Sequence, residues 1–389
     1  MPNRMQSAVM ESTTAQPLSA AYGPFHGRAW LNAAHQGPLP TSAQEAIRKA
    51  MAMKVNPSQL PDAAFWEVPR SLRGALAQLI DAPPTDIALT NSTSYGISLI
   101  AQGLDLDDGD EVLLVDGDFP ATVLPWLTRA GIRIRFLEGT NGHLGPELLE
   151  AALGPRTRVF CTSWVFSFYG TRVDLGALGD VCRRHGIIFV VNGSQGVGAQ
   201  PLSTTGLPID ALSSCGFKWL CGPYATGFCW IRDELRARLQ NPVPNWLRAA
   251  PTDLNDEISY KLSDDPSAAA FDVFCTANFL NYLPWIASIE HLLSFGLESV
   301  AAHDQRLVQQ LVDGLPDSYR LLSPREPNAR STLVLLTHGD TARNHEVFDR
   351  LAAAGIDVAL RGNNVRIAPH LYNSAREIDA VLEVLTDVA

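Results

Sequence analysis

From residue 86 onward the chain alternates short apolar runs with amphipathic stretches. IALT (87–90), EVLLV (111–115), IRIRFL (132–137), RVFCTSW (158–164), IIFVVN (187–192), ALSSCG (211–216) and TGFCWI (226–231) read as strands. Residues 94–103, 121–131 and 175–185 carry helical spacing between them. Apolar strands interleaved with helices predict an α/β fold built on a mostly parallel, doubly wound sheet. Ligands bind outside the carboxyl ends of such strands, so the polar residues that follow each strand are the ones to weigh.

The flanks read differently. Thr41 or Ser42 caps a predicted helix running to Val55, and a second helix covers 66–80. Residues 241–270 are rich in Pro, Asp and Ala and read as a long loop. Helices at 281–294 and 299–314 follow. Then come LVLL (333–336), a helix at 345–354, IDVAL (356–360), NVRIA (364–368) and a last helix at 374–388. That is a separate, smaller α+β unit.

Composition narrows the function. With 389 residues, 46% hydrophobic and 18% charged, the chain can bury a large core in two or three domains. A net charge of −11 argues against nucleic acid as a partner, which needs a basic surface. The six cysteines form no CxxC pair and no zinc spacing. Most sit in apolar runs as buried thiols, which fits a reduced, cytoplasmic compartment. No apolar run reaches the roughly 18 residues of a membrane span. The first 20 residues lack the apolar core of a signal peptide and read as a disordered lead.

Only four lysines are present, so each can be weighed. Lys49 and Lys54 fall on an exposed-looking helix and Lys261 in a polar loop. Lys218 lies between Phe217 and Trp219 in SSCGFKWLCGPYATGF (213–228), just past a strand. An amine in apolar surroundings loses charge, and the neutral form can make a Schiff base with a carbonyl cofactor. The alternative is a lysine whose stem is buried and whose tip reaches water. NGSQGVGA (192–199) follows the preceding strand. TNSTSYG (90–96) opens a helix, as an ordinary cap or as an anion site. Phe119 in VDGDFPATVLPW (115–126) either stacks on a planar ring or fills core, and Asp116 and Asp118 lack the partners of a metal site. No dinucleotide or P-loop motif occurs.

In order and spacing, LNAAHQGPLP, the STS turn, DGDFPATVLPW, VNGSQGVG, CGFKWLCGPYATGF, FDVFCTANFLNYLPW and VRIAPHLYN resemble the class V aminotransferase family. These are fold-type I pyridoxal 5′-phosphate enzymes and include cysteine desulfurases, kynureninases and isopenicillin N epimerase-like proteins. The resemblance implies a seven-stranded sheet and a homodimer acting on a small amino-acid substrate. It also implies a lead at 1–20, a segment at 21–60 packing on the small domain, a cofactor-binding domain at 61–280 and a small domain at 281–389. Lys218 would carry the cofactor. Thr93, Ser94 and Cys215 would surround its phosphate, and Thr276 would reach the phosphate of the neighbouring subunit. Phe119 would stack on the ring, with Ser167 and Gln195 near its phenolic oxygen. Asn32, His35, Arg361 and Arg366 would face the substrate, Arg366 gripping its carboxylate.

Two departures from the family stand out. Desulfurases carry a nucleophilic cysteine shortly before the VR strand, and here GIDVALRGNNVRIA has none. Asn192 stands where the family has an Asp paired with the pyridine nitrogen. The segments DFPATVLPW and FDVFCTANFLNYLPW further resemble enzymes near isopenicillin N epimerase, among them lincosamide-pathway enzymes acting on S-linked cysteine conjugates. The expected reaction is C–S cleavage of an S-substituted L-cysteine. Decarboxylation coupled to oxidative deamination, amino transfer and epimerisation are the alternatives; an effector-binding module is a further one, disfavoured because the first 30 residues are too short for the expected helix-turn-helix extension, and the retained Lys218 disfavours a non-catalytic scaffold.

Overall fold

In the computed structural model, seven apolar runs pair into one sheet; the described residues are 18–138, 142–240, 242–250, 261–273 and 278–389. The strands are β1 (Ile87–Thr90), β2 (Glu111–Val115), β3 (Arg133–Leu137), β4 (Thr157–Ser163), β5 (Ile188–Asn192), β6 (Ala211–Cys215) and β7 (Gly227–Ile231). Their spatial order is β1-β7-β6-β5-β4-β2-β3, and only β7 runs antiparallel to its neighbours. The inner strands are buried and largely apolar because both faces are covered. In β2, Leu113 and Val115 enter one core while Val112 and Leu114 enter the other. In β5, Phe189 and Val191 divide from Ile188 and Val190 in the same way. The edge strand β3 carries arginines instead, and Arg135 pairs across to Glu111 at 2.6 Å.

Helices α1 (Thr41–Val55), α2 (Ala64–Ile80), α3 (Thr93–Gly103), α4 (Pro120–Leu127), α5 (Pro146–Ala152) and α6 (Leu175–His185) come from the first half of the chain. Local chemistry explains their ends. The Ser92 hydroxyl accepts from Tyr95 N–H at the start of α3. Asp174 does the same for α6, which ends on Arg183, Arg184 and His185 before a left-handed Gly186. The expected helix at 121–131 stops at Leu127. Pro125 supplies no N–H, and the Thr128 hydroxyl donates back to the Pro125 carbonyl at 3.0 Å.

The second half contributes α7 (Phe279–Phe295), α8 (Leu297–Asp313), α9 (Asn344–Ala353) and α10 (Ala375–Asp387). It also builds an antiparallel sheet from β8 (Tyr319–Leu321), β9 (Val334–His338), β10 (Ala359–Arg361) and β11 (Asn364–Ile367), in the order β8-β9-β11-β10. Helix α7 packs on α1 and α2, placing Tyr282, Trp285 and Ile289 in the larger core. The smaller core gathers Leu307, Val347, Val365 and Ile378, joined from the N-terminal segment by Ala29 and Leu31.

Some elements differ from the sequence expectation. IDVAL is not one strand. Ile356–Asp357 pairs in parallel with Ala29–Trp30, and Ala359–Arg361 turns to pair with β11. Helix α5 and strand β8 were not expected. Within the expected loop at 241–270, Ala249–Ala250 pairs with Lys261–Leu262. The lead at 1–20 falls, up to residue 17, outside the described residues, as does Thr276. No helix among the described residues is long and apolar enough to cross a membrane.

Candidate active site

The carboxyl ends of β4, β5 and β6 deliver Ser163, Asn192 and Cys215 to one edge of the sheet, with Thr93 and Ser94 opening α3 beside them. Lys218 follows β6 in a tight turn, where Gly216 N–H bonds the Thr226 carbonyl and Cys221 N–H bonds the Lys218 carbonyl. The N-terminal segment closes over this turn through Gly37 N–H to the Phe217 carbonyl at 2.9 Å. A Cβ at Gly37 would collide with the Lys218 carbonyl and the Cys221 sulfur, so this approach requires glycine.

Lys218 is buried, and its Nζ lies 5.3 Å from the centre of the Phe119 ring. Burial lowers its pKa, and Arg366 and Arg361 lower it further against an opposing pull from Cys215. Phe119 sits at the start of α4, its ring stacked 6.5 Å from that of Phe168. Gln195 is buried and held at both ends: Nε2 donates to the Ala34 carbonyl at 3.0 Å and to Ser167 Oγ at 3.4 Å, while Oε1 accepts from Trp219 Nε1 at 2.9 Å.

On the small-domain side, the run Leu31–Ala33 bonds alongside Ala368, which lays Asn32 beside β11. Arg366 in β11 is buried; its Nη2 donates to Asn32 Oδ1 at 3.4 Å, and its Nε has no partner among the described residues. Burial, then Arg361, pulls its pKa down to about 9, so the guanidinium stays charged at neutral pH. His35, exposed nearby, is pushed down by partial burial and then by Arg361, Arg366 and Lys218. Among the described residues no carboxylate pairs with Lys218, Arg361 or Arg366. A basic cluster with a buried, unpartnered guanidinium nitrogen calls for an anion from outside.

At the start of α3, the Thr93 hydroxyl lies 2.6 Å from Ser194 Oγ, and Ser94 is exposed in the first turn, whose N–H groups head no helical bond. Cys215 is buried at the end of β6. This edge supplies what a phosphate needs, and the buried amine and arginines supply what a carbonyl cofactor and a carboxylate need. The residues present fit pyridoxal phosphate.

Sequence reasoning missed a polar set behind Asn192. Its Oδ1 accepts from Ser194 N–H at 3.0 Å and its Nδ2 donates to Thr122 Oγ1 at 2.9 Å. Thr122 lies 3.2 Å from Ser163 Oγ, which is 2.5 Å from Asp118 Oδ1. Asp118, weighed above as a metal ligand, has both oxygens occupied, by Phe119 N–H at 2.6 Å and Ser163 N–H at 2.8 Å. Ser163 could have been found by the rule of strand carboxyl ends; Thr122 carried no signal.

The family model for aminotransferase class-V matches residues 43–381. A probable cysteine desulfurase of Methanothermobacter thermautotrophicus is 24% identical, over 82% of this chain and 82% of that one. Isopenicillin N epimerase of Streptomyces clavuligerus is 27% identical, over 91% of this chain and 93% of that one. Among solved structures, the cystine C–S lyase C-DES in complex with its reaction product cysteine persulfide superposes with a TM-score of 0.83. It is 25% identical, over 93% of this chain and 98% of that one.

Proposed function

The chain belongs to the class V aminotransferase family, and from that premise we propose that it cleaves the C–S bond of an S-substituted L-cysteine by β-elimination. It is an enzyme of that class and uses pyridoxal phosphate. When bound, the cofactor withdraws electrons from the α-carbon of an amino acid joined to it.

The observation that carries the reaction type is the hairpin between β10 and β11. Arg361 pairs with Asn364, and the two residues between them, Gly362 and Asn363, have φ of 54° and 63°. Two left-handed residues make a type I′ turn, the tightest hairpin connection. Desulfurases, by the resemblance above, carry their nucleophilic cysteine just here. This turn has neither a thiol nor the length to swing one into the site. The likeness to a structure named as a cystine C–S lyase supports the same bond as target.

The chain's own groups divide the work. Lys218 holds the cofactor, and its Nζ, which burial shifts toward the neutral amine, takes the α-proton. Arg366 binds the α-carboxylate, with Asn32 fixing the guanidinium. The C–S electron pair leaves with sulfur, which takes up a proton; water completes the reaction to give a thiol, pyruvate and ammonium. Thr93, Ser94 and Cys215 line the phosphate, and Phe119 covers the ring. We extend the proposal to a cytoplasmic homodimer in which Thr276 reaches the partner's phosphate.

A second reading is epimerisation, favoured by the 27% identity to isopenicillin N epimerase along 91% of the chain. Incubation of the holoenzyme with amino acids and S-conjugates, followed by mass spectrometry and chiral chromatography, separates the two. Thiol with pyruvate supports elimination, a D-centre from an L-substrate supports epimerisation, and alanine from cysteine overturns both.

A further inference from the structure

The buried polar set behind Asn192 has a direction, and backbone groups fix it. Ser194 N–H can only donate, so the Asn192 side-chain atom 3.0 Å from it is oxygen. The amide nitrogen therefore faces Thr122 and donates to Oγ1 at 2.9 Å. At the far end Phe119 N–H and Ser163 N–H each donate to one oxygen of Asp118, and Thr162 Oγ1 adds a bond at 3.4 Å. Burial raises the Asp118 pKa and these donors oppose that; held as a carboxylate, Asp118 takes the Ser163 hydroxyl proton as well, at 2.5 Å. With its own proton committed to Asp118, Ser163 Oγ can only accept from Thr122, 3.2 Å away. Every hydrogen then points the same way: Asn192 to Thr122, Thr122 to Ser163, Ser163 to Asp118.

We propose that Asp118, Ser163 and Thr122 form a one-directional hydrogen-bond chain that fixes and polarises the Asn192 amide, so that its oxygen acts as the acceptor for a protonated ring nitrogen of the cofactor. The inference rests on the pyridoxal phosphate site described above, with the ring nitrogen facing Asn192. Aligned bonds in a buried site reinforce one another, and the carboxylate at one end draws the amide proton and leaves more negative charge on Oδ1. Asn192, Thr122, Ser163 and Asp118 are all buried, so water does not compete for these bonds. Oδ1 has one lone pair taken by Ser194 and one to offer. Asp118, Ser163 and Thr122 are positioning residues: they touch Asn192 or one another and act on the cofactor only through the amide.

The test uses holoenzyme loaded with ring-15N pyridoxal phosphate and follows the 15N resonance. The wild type should lie near the protonated end of the range. Thr122→Val, which keeps the shape and removes the hydroxyl, should move the resonance toward the unprotonated end. Thr122→Ser should restore it. Ser163→Ala, which leaves Asp118 held by two backbone N–H groups, should move it the same way as Thr122→Val. A wild-type resonance at the unprotonated end overturns the proposal, because the amide would then be offering nitrogen. So does a Ser163→Ala resonance that coincides with wild type while Thr122→Val shifts, since the effect would stop at Thr122. A wild type that takes up no cofactor overturns the site assignment itself, a failure visible before any resonance is compared.

Discussion

His370 Nδ1 lies 2.7 Å from Asp304 Oδ2, and both side chains are wholly buried. The other ring nitrogen is 2.9 Å from the Trp219 carbonyl, an acceptor, so it carries a proton, and the Asp304 carboxylate holds the second proton on Nδ1. Asp304 comes from α8 and Trp219 follows Lys218 directly. The imidazolium thus ties α8 to the turn that carries Lys218.

Breaking this pair should be costly. Burial alone would lower the His370 pKa, but the Asp304 carboxylate outweighs it and raises it to about 10. A pKa raised on folding adds stability that is complete below the unfolded value of about 6.5 and is lost as pH rises through about 10. Asp304→Asn should lower stability by about 3–5 kcal/mol at neutral pH. The gap from wild type should narrow toward pH 10. Urea titrations of both proteins at pH 7 and pH 10 measure it, and equal gaps at the two pH values would remove the charged pair from the account.

Lys218 should be the only lysine that holds the cofactor. Lys218→Ala should lose the visible absorption of the holoenzyme and all turnover, while folding is retained. Borohydride treatment followed by peptide mapping should place the label of the wild type on Lys218. Label at Lys49, Lys54 or Lys261 would displace the assignment.

Arg366→Ala should weaken catalysis on substrates with a free α-carboxylate by roughly 2–5 kcal/mol, the range for truncating one member of a buried charge pair. At about 1.4 kcal/mol per tenfold, that is a fall in kcat/KM of about 30-fold or more. Amino-acid amides, which lack the carboxylate, should lose far less. Equal losses for acid and amide would shift the role to Arg361, whose pull on both Arg366 and Lys218 puts it in the same cluster.

The fold was legible where each strand is buried on both faces, because IALT, EVLLV and IIFVVN have no polar side to disguise them. Lys218 was legible through scarcity and apolar neighbours. Pairing partners were not. Nothing within IDVAL announces that Ile356 will meet Ala29 while Ala359 turns to β11, because that choice is made by segments more than 300 residues apart. The chain from Asn192 to Asp118 was invisible for the same reason. It needs α4, β4 and β5 side by side, and each residue alone passes for an ordinary strand end or turn.

The assembly can be tested by complementation. If Thr276 serves the partner's site, mixing inactive Lys218→Ala with Thr276→Ala subunits creates one intact site per mixed dimer. Random pairing in a C2 dimer then restores about a quarter of wild-type activity. Activity that never exceeds that of Thr276→Ala alone would put the threonine in its own subunit's site. Sedimentation of an active monomer would remove the dimer altogether.

Asn192→Asp restores the residue that, by the resemblance above, the family carries at this position. A carboxylate there has two accepting oxygens, so one still takes Ser194 N–H while the other can no longer donate to Thr122. The Thr122 hydroxyl must turn toward the new carboxylate, which leaves Ser163 Oγ without a donor and cuts the chain to Asp118. Direct charge then replaces relayed polarisation, and an opposite charge beside a ring nitrogen favours its protonated form. The variant should hold the 15N resonance at the protonated end. It should also convert more of its cofactor to the pyridoxamine form with ordinary amino acids, because a stronger electron sink favours reprotonation on the cofactor. Thr122→Val should shift the resonance when Asn192 is retained and leave it nearly unmoved when added to Asn192→Asp, a non-additivity expected only if the two residues are coupled. Equal shifts in both backgrounds would mean that Thr122 acts on the cofactor by another route, and that Asn192 is neither fixed nor polarised through it.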